Sequence, residues 1–144
     1  MRNLIILIGF VLFAWLEDGC QDITVGYLLT EGASYSPDTL VIKTSNSLDE
    51  TGEDYARIKW GQPWVSTPIE GVEGTSQVIV SIKNITSIQG DPGKLWEVLS
   101  VRGNGTFEVP LHHDVPVGRY VISLNFKNEG YSKDINDCFT IIVK

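Results

Sequence analysis

The stretch "VPVGRYVISLNFKNEG", residues 115–130, contains the clearest structural signal in the chain. Apolar side chains recur at every second position from Tyr120 onward, which is the period of an extended strand and not of a helix. A strand here would place four side chains on one face: Tyr120, Ile122, Leu124 and Phe126. Turn residues stand on both sides, with Pro-x-Gly before the strand and Asn-x-Gly after it. The stretch therefore predicts a β-strand with one buried face.

Short alternating runs of the same kind recur through the rest of the chain. They lie at residues 38–44, 55–60, 76–85, 95–101, 105–111, 118–126 and 138–143. Seven or so strands in about 105 residues are typical of two packed antiparallel sheets, and no segment after residue 37 has a convincing helical period. The sequence therefore predicts an all-β sandwich over residues 37–144.

Several of these segments make predictions about local structure. Alternation in "YARIKW", residues 55–60, places Trp60 on the same face as Ile58 and so in the core. Asn-Gly in "RGNG", residues 102–105, predicts a hairpin turn, and "NEGYSKDIND", residues 128–137, predicts a loop. The run at 76–85 is expected to point three side chains inward: Val78, Val80 and Ile82.

The opening stretch also carries a family resemblance. The pattern Pro-x-Gly-x-Tyr, followed by alternating apolar residues and Asn-x-Gly, resembles the penultimate strand and turn of immunoglobulin-like, PKD-like and cadherin-like domains. The resemblance covers residues 105–143, and it implies an immunoglobulin-like antiparallel β-sandwich of about seven strands. It also implies that Tyr120 bonds its hydroxyl back to the main chain. Such domains serve unrelated functions, so the resemblance concerns the fold.

The first 19 residues predict an export signal. A basic start is followed by "LIILIGFVLFAWL", residues 4–16, which as a helix would be about 20 Å long and too short to span a bilayer core. Gly19-Cys20 resembles the cleavage site of a bacterial lipoprotein, in which the Cys is lipidated and becomes the mature N-terminus. Glu17 stands where that pattern has Leu, so plain cleavage near Gly19 is the alternative.

Together these features make the chain resemble a small surface lipoprotein of the Bacteroidetes type. We expect a signal peptide at residues 1–19, a flexible tether at 20–36, and an outer-membrane anchor at Cys20 that faces either the cell surface or the periplasm. Cys138 is either a small buried hydrophobic residue or the partner of Cys20 in a disulfide.

The charge of the chain bears on its partners. A formal net charge of −7 disfavours nucleic acid and anionic lipid headgroups, because both repel an acidic surface. The lipid anchor makes the membrane one partner, and a glycan or a surface protein is the expected second one.

Catalytic and metal-binding patterns are weak. Adjacent side chains on extended backbone point to opposite faces, so His112 and His113 are not expected to share a metal ion. The acidic stretch 134–137, "DIND", is a polar turn or a calcium loop. We therefore expect no catalytic residue, no cofactor and no metal site, although a convergent pair of acids would make a glycan-acting enzyme.

Aromatic residues provide the remaining hypothesis. Trp64, which follows a proline in a predicted loop, Trp96 and Tyr131 are the candidate ligand-binding residues, because aromatic rings stack on sugars and suit wet interfaces. The alternative for Trp64 and Trp96 is that they close the open ends of the sandwich. The predicted function is a non-catalytic binding or accessory module, and the alternative is a structural subunit of a surface assembly that uses a sheet edge.

Overall fold

The computed structural model describes residues 26–75 and 77–144. These residues form three sheets and two short α-helices. The elements in chain order are β1 (Leu28–Leu29), β2 (Thr39–Ile42), a 3₁₀ turn (Ser45–Ser47), α1 (Tyr55–Trp60), β3 (Trp64–Val65), β4 (Glu73–Gly74), β5 (Ile79–Gln89), α2 (Pro92–Val98), β6 (Ser100–Val101), β7 (Phe107–Val109), β8 (Gly118–Asn128) and β9 (Tyr131–Val143). Strand dominates the regular structure, so the predicted all-β class is confirmed.

The main sheet has four strands in the order β2-β9-β8-β5. β8 is antiparallel to both of its neighbours, whereas β2 runs parallel to β9. A second sheet has the order β3-β7-β6, and β1 pairs with β4 in a two-stranded sheet. The core lies between the main sheet and the second sheet.

The β8–β9 hairpin forms the centre of the fold. The four side chains predicted to share one face of β8 are all buried: Tyr120, Ile122, Leu124 and Phe126. Tyr120 Oη donates to the Pro116 carbonyl at 2.7 Å, which is the backbone bond that the family resemblance implies. The prediction of a loop at 128–137 is wrong. β8 continues to Asn128, the chain turns at Glu129 and Gly130, and β9 already starts at Tyr131.

Residues 26–36 are packed against the domain, so the predicted tether is wrong for this segment. Leu28 and Tyr35 are buried in the core, and the Tyr35 hydroxyl donates to the Gly105 carbonyl at 2.6 Å. The Tyr35 ring also contacts Phe107 and Phe139, with ring centroids 5.6 and 4.7 Å away. This aromatic cluster joins the N-terminal segment to both larger sheets.

The strand predicted at 55–60 is wrong, because the chain forms α1 there. The strand predicted at 95–101 is wrong up to Val98, which ends α2, and is confirmed only at Ser100–Val101, which form β6. α1 ends at Gly61, whose left-handed backbone (φ 59°) lets two N–H groups bond back to the carbonyls of Ile58 and Arg57. α2 begins at Asp91, whose carboxylate accepts from the Gly93 N–H at 2.9 Å. Bonds of this kind at the helix ends can specify a helix of one or two turns, even where the sequence has no long apolar period.

Other expectations for the strands are confirmed. The turn at "RGNG" joins β6 to β7, and its Gly105 N–H donates to the Arg102 carbonyl at 2.8 Å. Val78, Val80 and Ile82 pack partly buried against the core. A bulge between Ile82 and Asn84 then shifts the alternation by one residue, so that Ile85 is the next buried side chain.

The predicted signal peptide and Cys20 lie outside the described residues. Within the described part of the chain, no helix is long and apolar enough to cross a bilayer. Cys138 is half-buried in β9 and forms no disulfide with any described residue. Burial raises the pKa of its thiol to about 11. The alternative pairing with Cys20 lies outside the described residues.

Candidate ligand-binding surface

Helix α1 presents two exposed aromatic rings. The side chains of Tyr55 and Trp60 are 53% and 70% exposed, which corrects the prediction that Trp60 belongs to the core. The ammonium group of Lys59 lies over both rings, 5.7 Å from the Tyr55 centroid and 5.5 Å from the Trp60 centroid. We call Tyr55, Lys59 and Trp60 the α1 aromatic surface.

The start of α1 is fixed by a buried carboxylate. Asp54 is only 5% exposed, and it accepts hydrogen bonds from the Asp49 N–H at 3.0 Å and the Lys43 ammonium at 2.6 Å. The backbone bond from Asp49 and the bond from Lys43 hold the pKa of Asp54 below its usual value. Because Lys43 directly follows β2, these bonds join the helix to the main sheet.

The end of α1 is fixed through Arg57. Its guanidinium lies 4.2 Å from the centre of the Trp64 ring and donates to the Pro63 carbonyl at 2.7 Å. Trp64 is 7% exposed and begins β3, which corrects its prediction as a loop residue. Its ring therefore packs in the core under Arg57 and presents no open face to a ligand.

Trp96 lies on α2 and is 47% exposed. The preceding residue, Leu95, is fully buried and anchors the helix to the core. Lys94 forms ion pairs with Asp114 at 2.9 Å and with Glu97 at 3.9 Å. These contacts place α2 beside the loop that leads into β8.

An open groove of about 480 Å³ lies between two segments, Thr44–Asn46 and His113–Pro116. The Ser45 hydroxyl joins the two walls, because it donates to the His113 carbonyl at 3.0 Å and accepts from the His113 N–H at 3.2 Å.

His113 stiffens one wall of this groove. Its side chain is 9% exposed, whereas His112 is exposed, so the two imidazoles lie in different environments. His113 Nδ1 accepts from the Val115 N–H at 3.3 Å, and burial lowers the pKa of the ring. Among the described residues, no group of three His, Cys, Asp or Glu side chains is placed to hold a metal ion.

Tyr131 and Trp96 lie at opposite ends of the main sheet. It begins β9 beside the β8–β9 turn and packs half-buried against the core. Trp96 lies near the opposite end of the main sheet, since α2 follows the end of β5 that pairs with Arg119. β8 has 11 residues, which corresponds to about 33 Å of strand. The structure therefore does not bring Trp64, Trp96 and Tyr131 together into one site.

The acidic stretch 134–137 lies within β9 and not in a loop. The Asp134 carboxylate is 2.7 Å from the Lys83 ammonium and accepts from the Asn125 amide at 2.7 Å. Asn136 also accepts from Lys83, at 3.3 Å. Two of the side chains that suggested a calcium loop, Asp134 and Asn136, therefore bond to a lysine on β5.

Sequence reasoning missed the α1 aromatic surface because it assigned a strand period to "YARIKW". The helix signals were present on both sides of that run. An aspartate precedes it and a glycine follows it, as is typical of helix ends. A helical assignment would have removed the reason for placing Trp60 beside Ile58.

No protein-family model and no curated protein matches the chain. Among solved structures, the chain is similar to a SusE-like surface-located polysaccharide-binding protein from the heparin utilisation locus of Bacteroides thetaiotaomicron. The TM-score is 0.51 and the sequence identity 15%, over 83% of this chain and 15% of the much longer neighbour. At this identity the similarity concerns the fold alone.

Proposed function

We propose that this chain is a non-catalytic exported lipoprotein whose immunoglobulin-like domain binds a glycan at the cell surface through the α1 aromatic surface. The observation that carries the proposal is the pair of exposed rings, Tyr55 and Trp60, held on one short helix with a lysine over both. Exposed aromatic rings with a polar edge suit a wet interface, and their faces stack on sugar rings.

Fixed geometry supports this function. Asp54 ties one end of α1 to Lys43, and Arg57 ties the other end to the segment around Trp64. A surface held in its binding conformation loses little conformational entropy when the ligand arrives, so more of the contact energy appears as affinity.

Two further observations are consistent with a role at the bacterial surface. The neighbour of similar fold is a surface-located polysaccharide-binding protein. Gly19-Cys20 resembles a lipoprotein cleavage site, and an acylated Cys20 would anchor the chain to the outer membrane.

The groove between Thr44–Asn46 and His113–Pro116 has one carboxylate in its lining, Asp114, which is paired with Lys94. A single paired carboxylate supports a binding role over acid–base hydrolysis, which uses two.

A glycan array tests the proposal with the full-length chain in detergent. Trp60→Ala and Tyr55→Ala should each weaken binding by about tenfold, which corresponds to about 1.4 kcal/mol of lost stacking. Ile88→Ala is the matched control, because Ile88 is 83% exposed and lies on β5 outside α1. Trp96→Ala tests whether the second exposed tryptophan contributes. Equal signals for all four variants and the unmodified chain would rule out recognition through α1.

The anchor is tested separately. Cys20→Ala should abolish incorporation of a fatty-acid analogue and release the chain from the membrane fraction. Cys138→Ala is the control, since Cys138 is half-buried in β9. Unchanged labelling of the Cys20 variant would show that lipidation at this residue is wrong.

A second candidate is a structural subunit that adds a partner strand to β5. In the described residues β5 pairs only with β8, and an apolar cleft of about 160 Å³ lies beside it, lined in part by Val78, Val80 and Phe126. Two irregularities in register and the charge of Lys83 interrupt this edge, and such features discourage strand addition. Cross-linking on intact cells tests it: an adduct that is lost in Ile79→Lys but kept in Ile88→Lys would favour assembly through the start of β5.

A further inference from the structure

We infer that Lys59 makes the α1 aromatic surface selective for glycans that carry an acidic group, a carboxylate or a sulfate, on the sugar that contacts the rings. This inference rests on the proposed function. It adds the chemical class of the ligand and the residue that selects it.

The Lys59 ammonium has no acidic partner among the described residues. Of the seven lysines in the chain, four form ion pairs with carboxylates in that part of the structure: Lys43, Lys83, Lys94 and Lys133. Lys59 instead lies over the rings of Tyr55 and Trp60, which are uncharged and leave its positive charge uncompensated. The α1 aromatic surface therefore presents a cation that an acidic ligand can pair with.

The position of this ammonium group joins charge recognition to ring stacking. It lies 5.5 Å from the Trp60 centroid and 5.7 Å from the Tyr55 centroid, so a sugar that stacks on either ring has its substituents beside the same cation. A lysine donates up to three hydrogen bonds, and its bonds to an oxyanion are stronger than those to a neutral hydroxyl. An acidic group on the stacked sugar therefore adds affinity that an uncharged sugar lacks.

The distribution of charge along α1 favours an anion at this end of the helix. Residues 55–60 include Arg57 and Lys59 but no acidic residue, whereas residues 49–54 include four acidic ones. The last of these, Asp54, is paired with Lys43. The six residues of α1 span about 9 Å, and physiological salt screens exposed charges over about 8 Å. The acidic loop and the net charge of −7 therefore act only weakly on an anion bound at Lys59.

Glycan pairs that differ in one acidic group test the inference with the full-length chain in detergent. One arm replaces a hexose by its uronic acid and the other adds a single sulfate ester, so the two arms distinguish a carboxylate from a sulfate. In at least one arm the acidic member should bind about three- to tenfold tighter than its uncharged partner. High salt should reduce this preference, because it screens an exposed ion pair. Lys59→Met should remove the preference, and Lys59→Arg should keep it.

Lys127→Met is the matched control, because Lys127 is an exposed lysine of β8 that also has no ion pair with a described carboxylate. Trp60-dependent binding with no preference for the acidic members of the pairs would overturn the inference and leave the proposed function intact. The same holds for a preference that is equal in Lys59→Met and Lys127→Met. Binding that does not depend on Trp60, or no binding to any glycan, would overturn both.

Discussion

The end of α1 and the start of β3 place two tryptophans four residues apart in opposite environments. Trp60 is 70% exposed, whereas Trp64 is 7% exposed and lies under the guanidinium of Arg57. Gly61 separates them, because its left-handed backbone ends the helix and redirects the chain into the sheet. The two rings therefore have different roles: Trp64 contributes to stability, and Trp60 remains available for contact with a ligand.

The contact between Arg57 and Trp64 also braces the helix that carries Trp60. Arg57 belongs to the helix that presents Trp60, and its guanidinium packs on the ring that enters the core. The buried tryptophan thus helps to hold the helix that carries the exposed one. Substitutions on the two sides of Gly61 should separate stability from binding.

The largest expected effect is that of Trp64→Ala. Removing a buried ring from β3 should lower the free energy of unfolding by about 3–5 kcal/mol, because both burial and packing are lost. Urea denaturation of the two tryptophan variants measures it. Trp60→Ala should change the same quantity by no more than about 0.5 kcal/mol. Similar losses in the two variants would contradict the division of roles.

A smaller effect is expected for Arg57→Met. This change keeps an unbranched side chain but removes the cation over the Trp64 ring and the bond to the Pro63 carbonyl. The free energy of unfolding should fall by about 1–2 kcal/mol. Lys59→Met is the matched control, since Lys59 is exposed at the helix surface. A variant at position 57 as stable as this control would mean that Arg57 does not brace α1.

The central hairpin was the part of the fold most open to prediction. One face of β8 alternates over four buried residues from Tyr120 to Phe126, and a buried strand surface imposes that period directly. The turn at Asn104-Gly105 was equally predictable from the sequence, because a positive φ there (79° at Gly105) favours glycine. In both places local sequence and tertiary structure demand the same residues.

The helices and the N-terminal segment were not predictable in the same way. "YARIKW" alternates as a strand would, but backbone bonds at Gly61 end a helix there, and the Asp54 carboxylate ties the start of that helix to Lys43. Tyr35 gave no periodic signal, and its burial depends on Phe107 and Phe139, which are distant in sequence. The α1 aromatic surface could not be predicted because it exists only if residues 55–60 form a helix. Trp64 was predicted to lie in a loop, but it is buried, with the Arg57 guanidinium packed on its ring.

The smallest expected effect is a pH dependence of the protein's stability that comes from His113 in the groove wall, away from both tryptophans. Burial lowers the pKa of His113 below its ordinary value of 6.5, so the unfolded chain binds this proton more readily than the folded one. Stability should therefore be highest above pH 6.5 and fall as the pH drops from 6.5 through the lower pKa of the folded state. The carboxylates with lowered pKa values, such as Asp54 and Asp114, contribute at more acidic pH.

Denaturation at several pH values between neutral and mildly acidic checks this expectation. His113→Asn keeps an acceptor for the Val115 N–H but removes the titrating ring, so its stability should vary less over this range. His112→Asn is the control, because His112 is exposed. Equal pH dependence in the two variants would mean that His113 does not control the stability of this wall.

The most direct test of the account is the affinity of Trp60→Ala for the glycan that the unmodified chain binds, measured by calorimetry beside its melting temperature. We expect binding to weaken by about tenfold while the melting temperature stays the same, since the ring is exposed and supports no core contact. Unchanged affinity in a folded Trp60→Ala chain would contradict glycan recognition through α1.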